Sequence, residues 1–96
     1  MDMRFDAEVW YWRGPAPFFF VTVPAPLSAE IRDVANAVSY GWGVIPVRAQ
    51  IGRTRWRTSM FPRDGLYALP VKVAVRRAEE IDDGDVVSVR MELDPR

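Results

Sequence analysis

Alternation of apolar and polar positions dominates this chain. Over residues 4–12, Phe5, Ala7, Val9 and Tyr11 fall on one face and Arg4, Asp6, Glu8, Trp10 and Trp12 on the other, the period-two pattern of a half-buried strand. Residues 18–23 are aromatic and β-branched without clean alternation and end at Pro24 and Pro26, which predicts a strand covered on both faces. Leu27, Ile31, Val34 and Val38 then recur at helical spacing, predicting a helix over 29–38 with Ser28 as its N-cap and Leu27 and Ile31 flanking its start. It stops before Tyr40-Gly41-Trp42-Gly43, where glycine permits a tight turn. Residues 47–51 and 54–60 alternate again and meet across Gly52-Arg53. They predict a β-hairpin with Arg48, Arg55 and Arg57 projecting from one side, Arg53 at the tip and Trp56 turned into the core.

Beyond the hairpin, Asp64-Gly65 suits a tight turn leading into a strand over 66–69. Residues 71–80 fit two patterns, since Val71, Val73 and Val75 alternate as in a strand while Val71, Val75 and Ala78 share a helical face. Proline suits a first helical turn, so a short helix after Pro70 is expected. Asp82-Asp83-Gly84-Asp85 reads as a turn capped by Asp85, and residues 86–93 close the chain as a strand. The sum is a mainly β fold: a small closed or half-open six-stranded β-barrel with one or two short helices. It is expected to be a single domain over residues 1–96.

Composition narrows the chemistry. The 96 residues contain no cysteine and no histidine, which removes disulfides, thiolate nucleophiles, zinc–cysteine sites and the commonest general base together. Asp82, Asp83 and Asp85 lack the trailing glutamate of a calcium loop, and no Gly-rich phosphate loop occurs, so neither a metal nor a cofactor is implied. Acids at the start and four prolines within residues 15–26 fit neither a secretory signal nor a membrane span, so a cytoplasmic location is expected. Thr58 and Ser59 with Lys72 as base form the one enzyme-like arrangement. It needs a desolvated lysine within hydrogen-bond reach, which spacing cannot establish, and no catalytic residue is assigned.

Charge is balanced overall, at 13 basic and 13 acidic residues, yet segregated along the chain. Residues 48–77 carry eight basic side chains against Asp64 alone, whereas residues 78–96 carry seven acids against Arg90 and Arg96. A row of guanidinium groups suits phosphates, so Arg48, Arg53, Arg55 and Arg57, with Lys72 and Arg76, are the candidate contacts for an anionic ligand or nucleic acid, and Trp42 is a candidate stacking contact. The competing reading is an ordinary barrel wall whose arginines pair with the acidic tail. The choice turns on whether Arg53, Arg55 and Arg57 stay unpaired once Glu79, Glu80 and Glu92 are in place. A second functional reading is a small-molecule pocket at a barrel mouth formed by Trp42, Trp56, Tyr67 and Lys72. A monomer or small homo-oligomer is expected in either case.

Val44-Ile45-Pro46-Val47, Trp56-Arg57-Thr58-Ser59-Met60-Phe61-Pro62, Gly65-x-Tyr67-x-Leu69-Pro70-Val71-Lys72, Val75-Arg76 and Gly84-Asp85-x-Val87-x-Val89 follow one another in a specific order. With them the chain resembles, from about Phe5 to Asp94, a bacterial family known only as domain of unknown function nineteen-zero-five. The resemblance implies a small barrel akin to the double-split β-barrels of AbrB-like transition regulators and antitoxins. It implies no established activity, and a shared fold licenses no shared function.

Overall fold

A computed structural model describes residues 2–14, 17–38 and 43–94. The elements are β1 (Asp2–Arg13), β2 (Pro17–Val23), α1 (Ala25–Val38), β3 (Ile45–Ile51), β4 (Thr54–Arg63), β5 (Leu66–Val71), α2 (Val73–Ala78) and β6 (Val86–Leu93). All six strands pair antiparallel and close in the order β1-β2-β5-β4-β3-β6. An even number of alternately directed strands returns with the direction needed for β6 to pair with β1. The expected barrel is therefore closed rather than half-open.

Alternation sets which residues fill it. Met3, Phe5 and Val9 of β1, Val47, Ala49 and Ile51 of β3, Trp56 and Met60 of β4, and Val89, Met91 and Leu93 of β6 are all buried. The register places Ala49 between Trp56 and Met91, so a small residue sits between two large ones and the layer interdigitates. Each such fully buried aliphatic side chain contributes roughly 1.5–3 kcal/mol. Trp56 enters the core as its alternation predicts.

Both connections that leave the hairpin pattern cross the barrel. β2 and β3 stand three strands apart in the closed order, as do β5 and β6, and β2 and β5 run in opposite directions. The α1 connection therefore closes one end and α2 with its following turn closes the other. Ile31 from the first, and Val75 and Ile81 from the second, join the same hydrophobic cluster.

Three expectations change. Helix α1 begins at Ala25, so Ser28 is an interior residue and not the N-cap: its N–H donates to the Pro24 carbonyl at 2.8 Å, an i→i−4 helical bond. Pro26 fits the first turn, where no N–H is needed, so the proline pair that ends β2 also begins the helix. The Ser28 hydroxyl is instead buried. It donates to the Val23 carbonyl at 2.9 Å and accepts the Tyr67 N–H at 3.2 Å, tying β2, α1 and β5 together.

Pro70, expected to lead the second helix, lies within β5 opposite Phe20, and α2 starts at Val73. Its carbonyl accepts the Trp56 indole N–H at 3.1 Å, so that side of the residue faces β4. In an antiparallel strand the nitrogen of a residue faces the same way as its carbonyl, and the β4–β5 ladder covers only Phe61–Arg63 against Leu66–Ala68. Pro70 thus costs no ladder hydrogen bond, the usual condition for proline in a sheet. Below that short ladder β4 and β5 diverge, and the Trp56–Pro70 bond bridges the split. Strand β2 is also covered less evenly than expected: Phe20, Val21 and Val23 are buried while Phe18 is exposed.

Candidate functional site

The β3–β4 hairpin delivers the arginine stripe. Gly52 at its tip adopts φ 57°, and the pairs Arg48↔Arg57 and Gln50↔Arg55 stand side by side on the outer face while Ala49↔Trp56 faces the core. Strand β6 pairs on the other side of β3, bringing Glu92 opposite Arg48 and Arg90 opposite Gln50. Strand β1 follows, with Asp2 opposite Glu92 and Arg4 opposite Arg90. Two rows result across four strands: Asp2, Glu92, Arg48, Arg57, and next to it Arg4, Arg90, Gln50, Arg55. They hold five guanidinium groups against two carboxylates.

This face is concave. A depression of about 520 Å³ is lined by Arg48, Arg55, Arg57 and Arg90 together with Asp2 and Glu92. Arg48 pairs with Glu92 at 3.0 Å, and Arg90 with Asp2 at 3.4 Å, both between half-exposed side chains. The Arg55 Nε donates to the Gln50 amide oxygen at 3.2 Å. Arg57 and Arg4 have no ion-pair or hydrogen-bond partner among the described residues.

The acidic tail does not neutralise the stripe. Glu92 takes Arg48. Glu79 accepts from the Thr54 hydroxyl at 2.6 Å and the Arg53 backbone N–H at 3.3 Å, so it holds the hairpin tip and leaves the Arg53 guanidinium alone. Glu80 adopts φ 52° in the turn after α2 and meets no arginine among the described residues. Among the described residues, Arg53, Arg55 and Arg57 therefore have no carboxylate partner.

The other candidate residues go elsewhere. Arg53 sits at the hairpin tip, outside the depression. Arg76 lays its guanidinium 4.3 Å over the Phe19 ring and reaches the Ile81 carbonyl at 3.4 Å, a packing role behind α2. Lys72 is exposed and lines a different groove, which it shares with Thr58. No hydrogen bond joins Lys72 to Thr58 or Ser59 among the described residues. Trp56 and Tyr67 are buried in the core, and Trp42 lies outside the described residues.

Two contributors escaped the sequence reading. Arg4 and Arg90 belong to the face because β6 inserts between β1 and β3, and no local pattern announces a pairing 42 residues apart such as Ala49↔Met91 or 88 apart such as Met3↔Met91. The signal available was their polar position in the alternation of each strand.

Comparison with protein families matches residues 5–91 to the family described as Domain of unknown function (DUF1905). The chain belongs to the DUF1905 family. The match takes in both helices, β2 to β5 and most of β1 and β6, in agreement with the resemblance carried by the segments from Val44 to Val89. Comparison with curated proteins finds no match. Among the described residues of this DUF1905 chain, no helix is long and apolar enough to cross a membrane, and no group of three or more acidic side chains is placed to hold a metal ion.

Proposed function

We propose that this protein is a non-enzymatic binding module that holds a polyanionic partner on the β1-β6-β3-β4 face. The observation that carries the reading is the in-register juxtaposition of Arg48 and Arg57, with Arg57 unpartnered among the described residues. Like charges directly opposite on neighbouring strands cost stability, and Arg4 opposite Arg90 repeats the arrangement. An anion placed between them removes that cost. The two ion pairs on the face do not oppose this, because exposed pairs contribute only about 0–1 kcal/mol and an incoming phosphate can replace the carboxylate.

Binding to mixed-sequence single- and double-stranded oligonucleotides, titrated with salt, tests the reading. Binding should appear at low salt and weaken linearly on a log–log scale, and Arg57→Ala should lower the salt slope by about one. Absence of binding at low salt, or Arg55→Ala and Arg57→Ala variants indistinguishable from the parent, would reject it.

A further inference from the structure

On the opposite wall the outer surface changes character. β1 and β2 stack Trp10 on Phe20 with ring centroids 4.9 Å apart and Trp12 on Phe18 at 6.1 Å, and Phe61 of β4 meets Phe20 edge-on at 5.4 Å. The β1–β6 ladder stops at Glu8 and the β2–β5 ladder at Phe19, so the ribbon bearing Trp12 and Phe18 extends past its neighbours. Trp12 and Phe18 are consequently 38% and 44% exposed, and Val73 at the start of α2 is 45% exposed. Between this ribbon and the β4–β5 split runs a groove of about 480 Å³. Its walls are aromatic and aliphatic, and among the described residues Thr58 and Lys72 are the non-aromatic polar side chains that line it.

We propose that this groove binds an amphipathic monocarboxylate, with its apolar body against Trp12, Phe18, Phe61 and Val73 and its carboxylate on the Lys72 ammonium. Three observations select that chemistry. The groove has the volume and predominantly apolar lining of a small-molecule site with few polar contacts. Among the described residues no acid lines it and Lys72 has no partner, so the site carries one uncompensated positive charge. A single ammonium with one hydroxyl matches a monoanion; a phosphate would want a second cationic donor, and among the described residues Lys72 is the one cation that lines the groove. The site is separate from the arginine face and does not depend on the reading proposed for it.

The full-length chain titrated with octanoate and 2-naphthoate, each beside its neutral alcohol, tests the proposal by calorimetry and amide chemical shifts. Saturable binding of the carboxylates is expected, with shifts centred on Phe18, Thr58, Lys72 and Val73. The alcohols should bind about tenfold more weakly, the usual value of one charge-assisted hydrogen bond. Lys72→Gln should erase that preference while leaving oligonucleotide binding intact, and Phe18→Ala should weaken acid and alcohol alike. Equal affinity for acid and alcohol, a preference that survives Lys72→Gln, or no saturable shift would overturn it. So would concentration-dependent self-association that blocks the titration, since the aromatic ribbon would then be covered by a second copy.

Discussion

Ser28 carries more structural weight than its size suggests. Its buried hydroxyl accepts from the Tyr67 N–H and donates to the Val23 carbonyl, fastening α1 to the end of the β2–β5 ladder where Val23 and Tyr67 stand opposite each other. Ser28→Ala should destabilise the fold by about 1–3 kcal/mol, because two buried hydrogen bonds are lost and no water reaches a residue 1% exposed. A chemical-denaturation midpoint unchanged from the parent would show that the corner re-satisfies itself. The sequence marks Ser28 as a helix-related serine but misassigns it to the cap. The reason is physical: N-cap serines and buried bridging serines share the same local neighbours, and only the approach of Tyr67, 39 residues away, separates them. Arg57 is the contrasting case. Its outward projection follows from alternation alone, whereas its lack of a partner depends on Glu92 choosing Arg48 instead.

At the level of elements, the β3–β4 hairpin and the turn after α2 form one unit. Glu79 receives two hydrogen bonds from the hairpin tip, and Gly52 leaves space for its carboxylate: a Cβ there would collide with Glu79 Oε1. Gly52 also holds φ 57°, where a side chain is strained. Gly52→Ala should therefore cost more than the usual 1 kcal/mol or so of an unfavourable φ, because relief of the collision breaks the Glu79 contacts as well. Glu79→Ala should lose part of the same free energy, and the double variant should lose less than the two single losses combined. Additive losses, measured by thermal or urea unfolding, would separate the turn from its clamp. The hairpin and the Asp64-Gly65 turn, with both residues at positive φ, were legible because their geometry is local. Helix α2 was legible only in part. Its short pattern serves strand and helix equally, and the side of Pro70 that faces β4 is a property of the sheet, not of the segment.

Closure of the barrel explains why two unlike surfaces coexist on so small a chain. Inward positions are apolar apart from Thr54 and Thr58 of β4, so the outer wall is free to vary: guanidinium groups over β1-β6-β3-β4, aromatic rings over β1-β2 and the end of β4. The sequence displays the arginines as a segregated run, but the aromatic groove draws on four separated segments and needs the fold to assemble it. Between the two surfaces lies the β4–β5 split, and Trp56 is the residue that spans it. Its indole N–H reaches Pro70 where no ladder bond exists, while its ring remains in the core. Trp56→Phe keeps an aromatic ring inside and deletes the bridge. The barrel should remain folded with a loss of about 1–2 kcal/mol, since one part-buried hydrogen bond and a little ring volume go. Amide exchange should then accelerate most in residues 56–60 of β4 and in Leu69 and Val71 of β5, which flank the split, and least across the β1–β6 ladder. A uniform acceleration along all six strands would mean that the split opens only with global unfolding. Local acceleration would instead identify it as the barrel's weakest seam, placed directly beneath the groove that Lys72 and Thr58 line.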